Sequence, residues 1–161
     1  MATNGHFHSL TYGTCSLEDL RQHVLDYLAS EPERNYRLVI GSDSQAKNHS
    51  DTDFVVAIVI HRVGAGGIYF WKRIIEKKQY VLRARIYQEA TYSLTTAEEF
   101  LELLKRDGIS KYDVEIHVDI GKFGQTREMI NEIVGMVRGS GFAVKIKPDA
   151  FGASKVADQY T

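Results

Sequence analysis

The chain has 161 residues, 20 basic and 21 acidic side chains for a net charge of −1, and is 43% hydrophobic and 25% charged. That length suits one domain over residues 1–161, and that balance excludes a disordered chain and a wholly basic nucleic-acid coat. The single cysteine, Cys15, excludes an internal disulfide and a Cys-rich zinc site, and the longest apolar run, Phe54–Ile60, has seven residues where a membrane span needs about twenty.

The first fifteen residues carry little pattern. Ser16 then reads as a helix cap with Asp19 three residues on, and Leu17, Leu20, Val24, Leu25 and Leu28 recur at helical spacing. Pro32 and Asn35 end that helix. Tyr36–Ile40 is a short strand, with Gly41-Ser42-Asp43-Ser44-Gln45 as its polar tip and a turn over Asn48–Asp53. Phe54–Val63 is apolar on both faces, which places it centrally in a sheet. Gly64-Ala65-Gly66-Gly67 joins it to a strand over Ile68–Ile75 as a hairpin.

A helical pattern follows from about Gln79 to Arg106, with Thr96 and Glu99 placed to cap a second helix within it. Val114–Ile120 alternates as a half-buried strand, Gly121–Gly124 is a loop, and Gln125–Arg138 is a helix. Phe142–Ile146 is a last strand, broken by Pro148, with a short helix expected over Ala150–Tyr160. This order implies an α/β fold with a mixed sheet and helices on its faces.

The chemistry lies in the acidic groups. Asp43 and Asp119 each follow an apolar strand, and if those strands are parallel neighbours the two carboxylates share the carboxyl edge of the sheet. Glu89 sits beside an apolar helix stripe, and Asp149 and Asp158 follow the last strand. Carboxylates that gather repel one another unless a cation neutralises them, and an all-oxygen set favours Mg²⁺ or Mn²⁺ over Zn²⁺. Each residue taken alone also reads as a cap, a turn residue or a surface ion-pair partner. The histidines His6, His8, His23, His49 and His61 show no metal spacing.

The segments Ile40-Gly41-Ser42-Asp43-Ser44-Gln45, His117-Val118-Asp119-Ile120-Gly121, Lys147-Pro148-Asp149-Ala150-Phe151 and Ala153-Ser154-Lys155-Val156-Ala157-Asp158, with Phe7-His8-Ser9 near the start, resemble the YkuK-type family of ribonuclease H-like proteins. The resemblance covers nearly the whole chain. It implies a five-stranded mixed sheet in the order 3-2-1-4-5 with helices on both faces, to which this chain adds an N-terminal helix. It implies divalent-metal-dependent hydrolysis of nucleic acid, with the catalytic carboxylates falling on Asp43, Glu89, Asp119 and Asp158, and Asp149 competing for the fourth place. Asp43 would bridge two cations, while His117, two residues before Asp119, reads first as a structural polar residue and second as a group that orients a carboxylate or helps a water. Two departures from ribonuclease H itself weigh against hybrid cleavage as such: the first strand ends Gly-Ser-Asp-Ser, and no separate basic lobe is present. A non-catalytic nucleic-acid-binding or assembly protein on the same fold is the alternative.

The partner expected is nucleic acid, RNA or DNA, with no membrane. Lys72–Arg85 holds six basic residues against one acidic, Glu76, and is the stretch that would meet phosphates. The exposed hairpin also offers a surface for a homodimer. Without a basic segment leading into an apolar one at the start, the expected location is cytoplasmic.

Overall fold

The computed structural model describes residues 2–3, 6–109, 113–121, 124, 126–147, 149–150 and 160, with residues 2–3 described by their backbone. Among the described residues there are eight strands: β1 (Ala2–Thr3), β2 (Phe7–Ser9), β3 (Gly13–Cys15), β4 (Tyr36–Lys47), β5 (Asp51–Arg62), β6 (Gly67–Glu76), β7 (Val114–His117) and β8 (Ala143–Lys145). Three α-helices lie wholly within them: α1 (Leu17–Ser30), α2 (Leu82–Leu104) and α3 (Ile130–Gly139).

The sheet runs β3-β2-β6-β5-β4-β7-β8, with β1 also pairing to β6. Its centre, β6-β5-β4-β7-β8, is the expected 3-2-1-4-5 arrangement: β4, β5 and β6 are antiparallel, and β7 and β8 add in parallel on the other side of β4. The sheet is not limited to five strands, however. The weakly patterned start of the chain supplies β1, β2 and β3 on the β6 side. These are strands of two or three residues, too short for a period to show, yet Phe7 and Cys15 pair in register and are both buried. Cover of the β6 edge removes a row of unpaired backbone groups that would otherwise invite association.

Alternation along the strands sorts the core into two faces. Ile40, Phe54, Val56, Ile58, Ile60, Phe70 and Ile116 pack with Leu20 and Val24 of α1, Ile86, Ala97 and Phe100 of α2, and Ile133 and Val137 of α3. α1, α2 and α3 therefore cover one face. On the opposite face, Val39, Val55 and Ala57 pack with Val59, Trp71 and Tyr160. The expected helix over Ala150–Tyr160 lies largely outside the described residues, although Tyr160 itself is helical.

Three local readings change. First, β4 is 12 residues long, not a five-residue strand with a loose tip, because Gly41–Lys47 stays paired to β5 down to Lys47↔Asp51. Second, α2 runs unbroken for 23 residues. Thr96 lies inside it, 2% exposed against the sheet, so its hydroxyl caps nothing at a helix start. Third, the helix expected over Gln125–Arg138 begins as a 3-10 turn at Arg127–Met129 and becomes regular at Ile130. The capping box of α1 is as read: the Asp19 N–H donates to Ser16 Oγ and the Ser16 N–H donates to Asp19 Oδ2, both at 3.1 Å. No helix among the described residues is long and apolar enough to cross a membrane.

Candidate functional site

The site begins with a parting of the sheet. β4 and β7 are parallel neighbours from Leu38↔Val114 to Gly41↔His117, and there their ladder stops. Beyond it β4 stays with β5, while the chain after β7 stays with the β8 side. The Val118 N–H donates to Lys145 O and the Lys147 N–H donates to Ile120 O, both at 2.9 Å. A cleft opens between the two halves at the carboxyl ends of two parallel strands, the place where α/β sheets build sites.

Asp43 and Asp119 stand on the two lips of this cleft, each two residues past the last rung. They also share a face. Ser42 and Ser44 meet α2, so Asp43 between them turns the other way. Val118 and Ile120 are core residues, so Asp119 between them turns away from the helices as well. Both are half-buried.

Glu89 approaches from α2 and is 8% exposed. Small hydroxyl residues let α2 sit this close to β4. Ser42 Oγ donates to the Glu89 carbonyl at 2.6 Å and lies 2.8 Å from Ser93 Oγ, with Ser42 and Ser93 both buried. The Ser44 hydroxyl donates to Glu89 Oε2. Burial is the main force on the Glu89 carboxyl and, with the charges of Asp43 and Asp119, pushes its pKa up to about 8. The Ser44 hydrogen bond and the Arg85 charge oppose that rise without cancelling it. The charges of both aspartates thus reach the Glu89 carboxyl.

Two cations flank the cluster. Lys147 Nζ lies 2.9 Å from Asp119 Oδ1. Arg85, one helical turn before Glu89, has a buried Nε without a hydrogen-bond partner. The sequence reading missed both roles. A helical i, i+4 spacing of Arg85 and Glu89 was a usable signal, whereas nothing local links Lys147 to Asp119.

The remaining expected site residues are placed as follows. His117 is buried and turned to the Glu115–Arg37 pair, with Nε2 3.2 Å from Glu115 Oε1. Arg37 grips Glu115 with two hydrogen bonds, at 2.9 and 2.6 Å, and holds its carboxyl down at about 2. Burial lowers the pKa of His117, and its Nδ1 has no hydrogen-bond partner. Asp149 is exposed in a turn after β8, where its N–H donates to Ile146 O. Asp158 and Lys155 lie outside the described residues.

The donor set suits a hard divalent cation: three carboxyls and a serine hydroxyl, all oxygen, one of them an acid raised mainly by burial and further by its acidic neighbours. Among the described residues, no three His, Cys, Asp or Glu side chains are gathered tightly enough to hold a metal ion as they stand.

The profile of the family described as ribonuclease H-like matches residues 19–161. A Bacillus subtilis (strain 168) protein, uncharacterized protein YkuK, is 31% identical over 172 residues, covering 100% of this chain and 99% of that protein. The chain belongs to the ribonuclease H-like family, in its YkuK type. No solved structure matches it. The mixed sheet carries Asp43 on its central strand β4, and Asp119 lies two residues past the end of the parallel strand β7.

Strand alternation divides the basic stretch of this ribonuclease H-like chain. Lys72 turns to the helix side, 3.6 Å from Glu99 and over the Phe7 ring, and Arg73 turns to the opposite face, 3.2 Å from Asp53. Lys77, Lys78 and Arg83 remain exposed beyond the end of β6. That end is tied to the β4–β5 turn through Thr52 Oγ1 donating to Lys78 O at 2.7 Å and Gln79 Nε2 donating to Asn48 O at 3.2 Å.

Proposed function

We propose that the chain is a divalent-metal-dependent phosphodiester hydrolase acting on nucleic acid. What supports this reading is that Asp43 and Asp119 both follow the parting between β4 and β7 and that both carry charge felt by the buried Glu89 carboxyl. A buried acid beside two others is costly to keep unless something positive is meant to bind there. Asp43, Glu89 and Asp119 would hold Mg²⁺ or Mn²⁺, with Asp158, or Asp149 in its place, as the fourth carboxylate. Such cations supply a polarised phosphoryl oxygen and an activated water at neutral pH.

The chain's own groups do the rest. Asp43, on the central strand, is placed to serve both sides of the cleft. Ser44 fixes one oxygen of Glu89, which leaves the other for a ligand. Glu89 gives up its proton when positive charge enters, because its two acidic neighbours then no longer oppose its ionisation. Arg85 and Lys147 bring positive charge to the cleft rim, where a phosphodiester would lie. Lys77, Lys78 and Arg83 extend that charge along the same end of the sheet.

Two observations favour a second reading, a nucleic-acid-binding protein without catalysis: Lys147 already pairs with Asp119, and among the described residues the carboxyls are not drawn into a tight ligand set. A Mn²⁺ titration by calorimetry, followed by RNA, DNA, hybrid and junction substrates with Mn²⁺ or Mg²⁺, separates the two. The hydrolase reading expects saturable Mn²⁺ binding, its loss in Asp43→Asn, and cleavage of at least one substrate. Binding of nucleic acid with no Mn²⁺ site would leave the second reading standing and end the first.

A further inference from the structure

The turn that joins β6 to α2 is tied down from Lys78 to Val81, yet it ends on exposed apolar side chains. The Lys78 carbonyl accepts from the hydroxyl of buried Thr52 at 2.7 Å. Gln79 Nε2 donates to the Asn48 carbonyl at 3.2 Å. Tyr80 donates its hydroxyl to Glu76 Oε1 at 2.8 Å and sets its ring edge-on to Phe54, with planes 90° apart and centroids at 5.6 Å. The Val81 carbonyl accepts from the Arg85 N–H at 2.9 Å as α2 begins.

On this fixed backbone Val81 is 73% exposed and Leu82 beside it 38% exposed. Neither packs against a core cluster among the described residues. Val81 also stands at the N-cap of α2, where a serine, threonine, aspartate or asparagine side chain would bind a free N–H and valine binds none. A lone exposed apolar residue needs no explanation, but an adjacent pair held in place at the cost of a helix cap points to a contact outside the fold.

The surroundings of the pair say what it meets. Lys77, Lys78 and Arg83 are exposed on either side of it. Leu82, Arg85 and Glu89 fall at i, i+3 and i+7 of α2, along one stripe of the helix. The rise from Leu82 to Glu89 is about 10 Å, close to three steps of a stacked strand. A strand with one phosphate beside Arg85 and Glu89 would bring a base step about three nucleotides away to Leu82 and Val81. Phosphates match the cations there. The match for the apolar pair is the face of a base that has left its stack.

We propose that Val81 and Leu82 form an apolar wedge that takes the face of an unstacked base, so that the substrate class of the cleft is nucleic acid with an open step: a fork, a junction or a single strand rather than a closed duplex. This rests on the nucleic-acid part of the reading above and holds with or without catalysis.

The test titrates DNA and RNA forks, each with 2-aminopurine at the boundary of duplex and single strand, beside blunt duplexes of the same sequence. The probe brightens when it leaves the stack, and EDTA in the buffer keeps any metal site out of the result. The unaltered chain is expected to bind a fork about tenfold more tightly than its duplex and to brighten the probe. Val81→Thr/Leu82→Gln removes the apolar face and keeps a helix-compatible residue at Leu82. It should bring fork affinity to within about threefold of the duplex, leave the probe dark and leave the salt slope unchanged, because no phosphate contact is lost. Val81→Ile/Leu82→Met, which stays apolar, should behave as the unaltered chain. The urea midpoint checks that the fold is intact, and if it falls, Val81→Thr alone repeats the comparison. Equal affinity of the unaltered chain for fork and duplex overturns the wedge, and so does a fork preference that survives Val81→Thr/Leu82→Gln. A dimer dispersed by that substitution in sedimentation, with oligonucleotide binding unaltered, also overturns it and assigns the pair to a second copy. Failure of the unaltered chain to bind any of these oligonucleotides removes the nucleic-acid reading beneath the wedge, an outcome distinct from the others.

Discussion

Glu89 carries an electrostatic imbalance that reaches beyond the cleft to the stability of the fold. Unfolded, its carboxyl titrates near 4.5; folded and free of cations, burial and its acidic neighbours hold the proton up to about 8. Between those values the native state binds more protons than the unfolded one, so this group's contribution to stability is full below about 4.5 and drains away as pH rises to about 8. Glu89→Gln removes that drain. Urea unfolding in EDTA at pH 5 and pH 8 should show the variant gaining about 3 kcal/mol on the unaltered chain between the two conditions. The sign reverses the usual expectation for a site acid, since here the substitution stabilises at high pH. An equal difference at both pH values would mean that Glu89 titrates as an ordinary exposed acid and that the cleft holds no such imbalance.

At the scale of elements, the β4–β5–β6 meander is the rigid frame that sets the cleft, and its tightest point is the β5–β6 hairpin. Gly67 pairs with His61, and a Cβ there would lie 2.7 Å from the Ile60 carbonyl oxygen. That oxygen belongs to strand backbone and cannot swing aside as a side-chain tip could. Gly67→Ala is therefore expected to lower stability by about 1–3 kcal/mol, the range for overpacking, read as a lower urea midpoint at unchanged slope. A midpoint within error of the original would show that the hairpin yields at that position.

The same elements show where sequence reading succeeds and where it stops. Phe54–Ile60 is apolar at every position because β5 lies between two strands and between two layers, and that is legible without coordinates. The continuation of β4 through Ser42, Asp43 and Ser44 is not. Those residues are polar because they contact α2 and line the cleft, and polar residues after an apolar strand read as its end. Likewise Asp119 is suggested by alternation with Val118 and Ile120, but Lys147 as its partner depends on the β7–β8 pairing, a tertiary fact with no local trace. Glu89 shows in sequence as a carboxylate beside the apolar stripe of its helix, and its place in a site comes from the family resemblance. Its burial comes from Ser42 and Ser93, which bring the helix close to the strand by being small.

Across the whole molecule a net charge of −1 leaves open where free basic side chains gather. Lys77, Lys78 and Arg83 sit at the cleft end of the sheet, since β6 runs toward that end and α2 starts from it. Lys105 follows the far end of α2, at the opposite pole, and is engaged by Glu102 at 2.8 Å. Nucleic acid entering the cleft would release counterions at the first pole and not at the second. Arg83 is paired to Glu132 at 2.9 Å, with both side chains more than half exposed, so the pair is open to exchange for a phosphate. Lys77→Glu combined with Arg83→Glu should weaken oligonucleotide binding and flatten its dependence on salt, lowering the log–log slope by about 1–2 through the loss of two phosphate contacts. Lys105→Glu, a charge change at the other pole, should leave both affinity and slope as they were. Fluorescence anisotropy with a labelled oligonucleotide over a series of salt concentrations measures both quantities. Equal losses from the two poles would assign the binding to net charge alone, and an unchanged slope in the Lys77→Glu/Arg83→Glu chain would remove this end of the sheet as the path by which nucleic acid reaches Asp43 and Glu89.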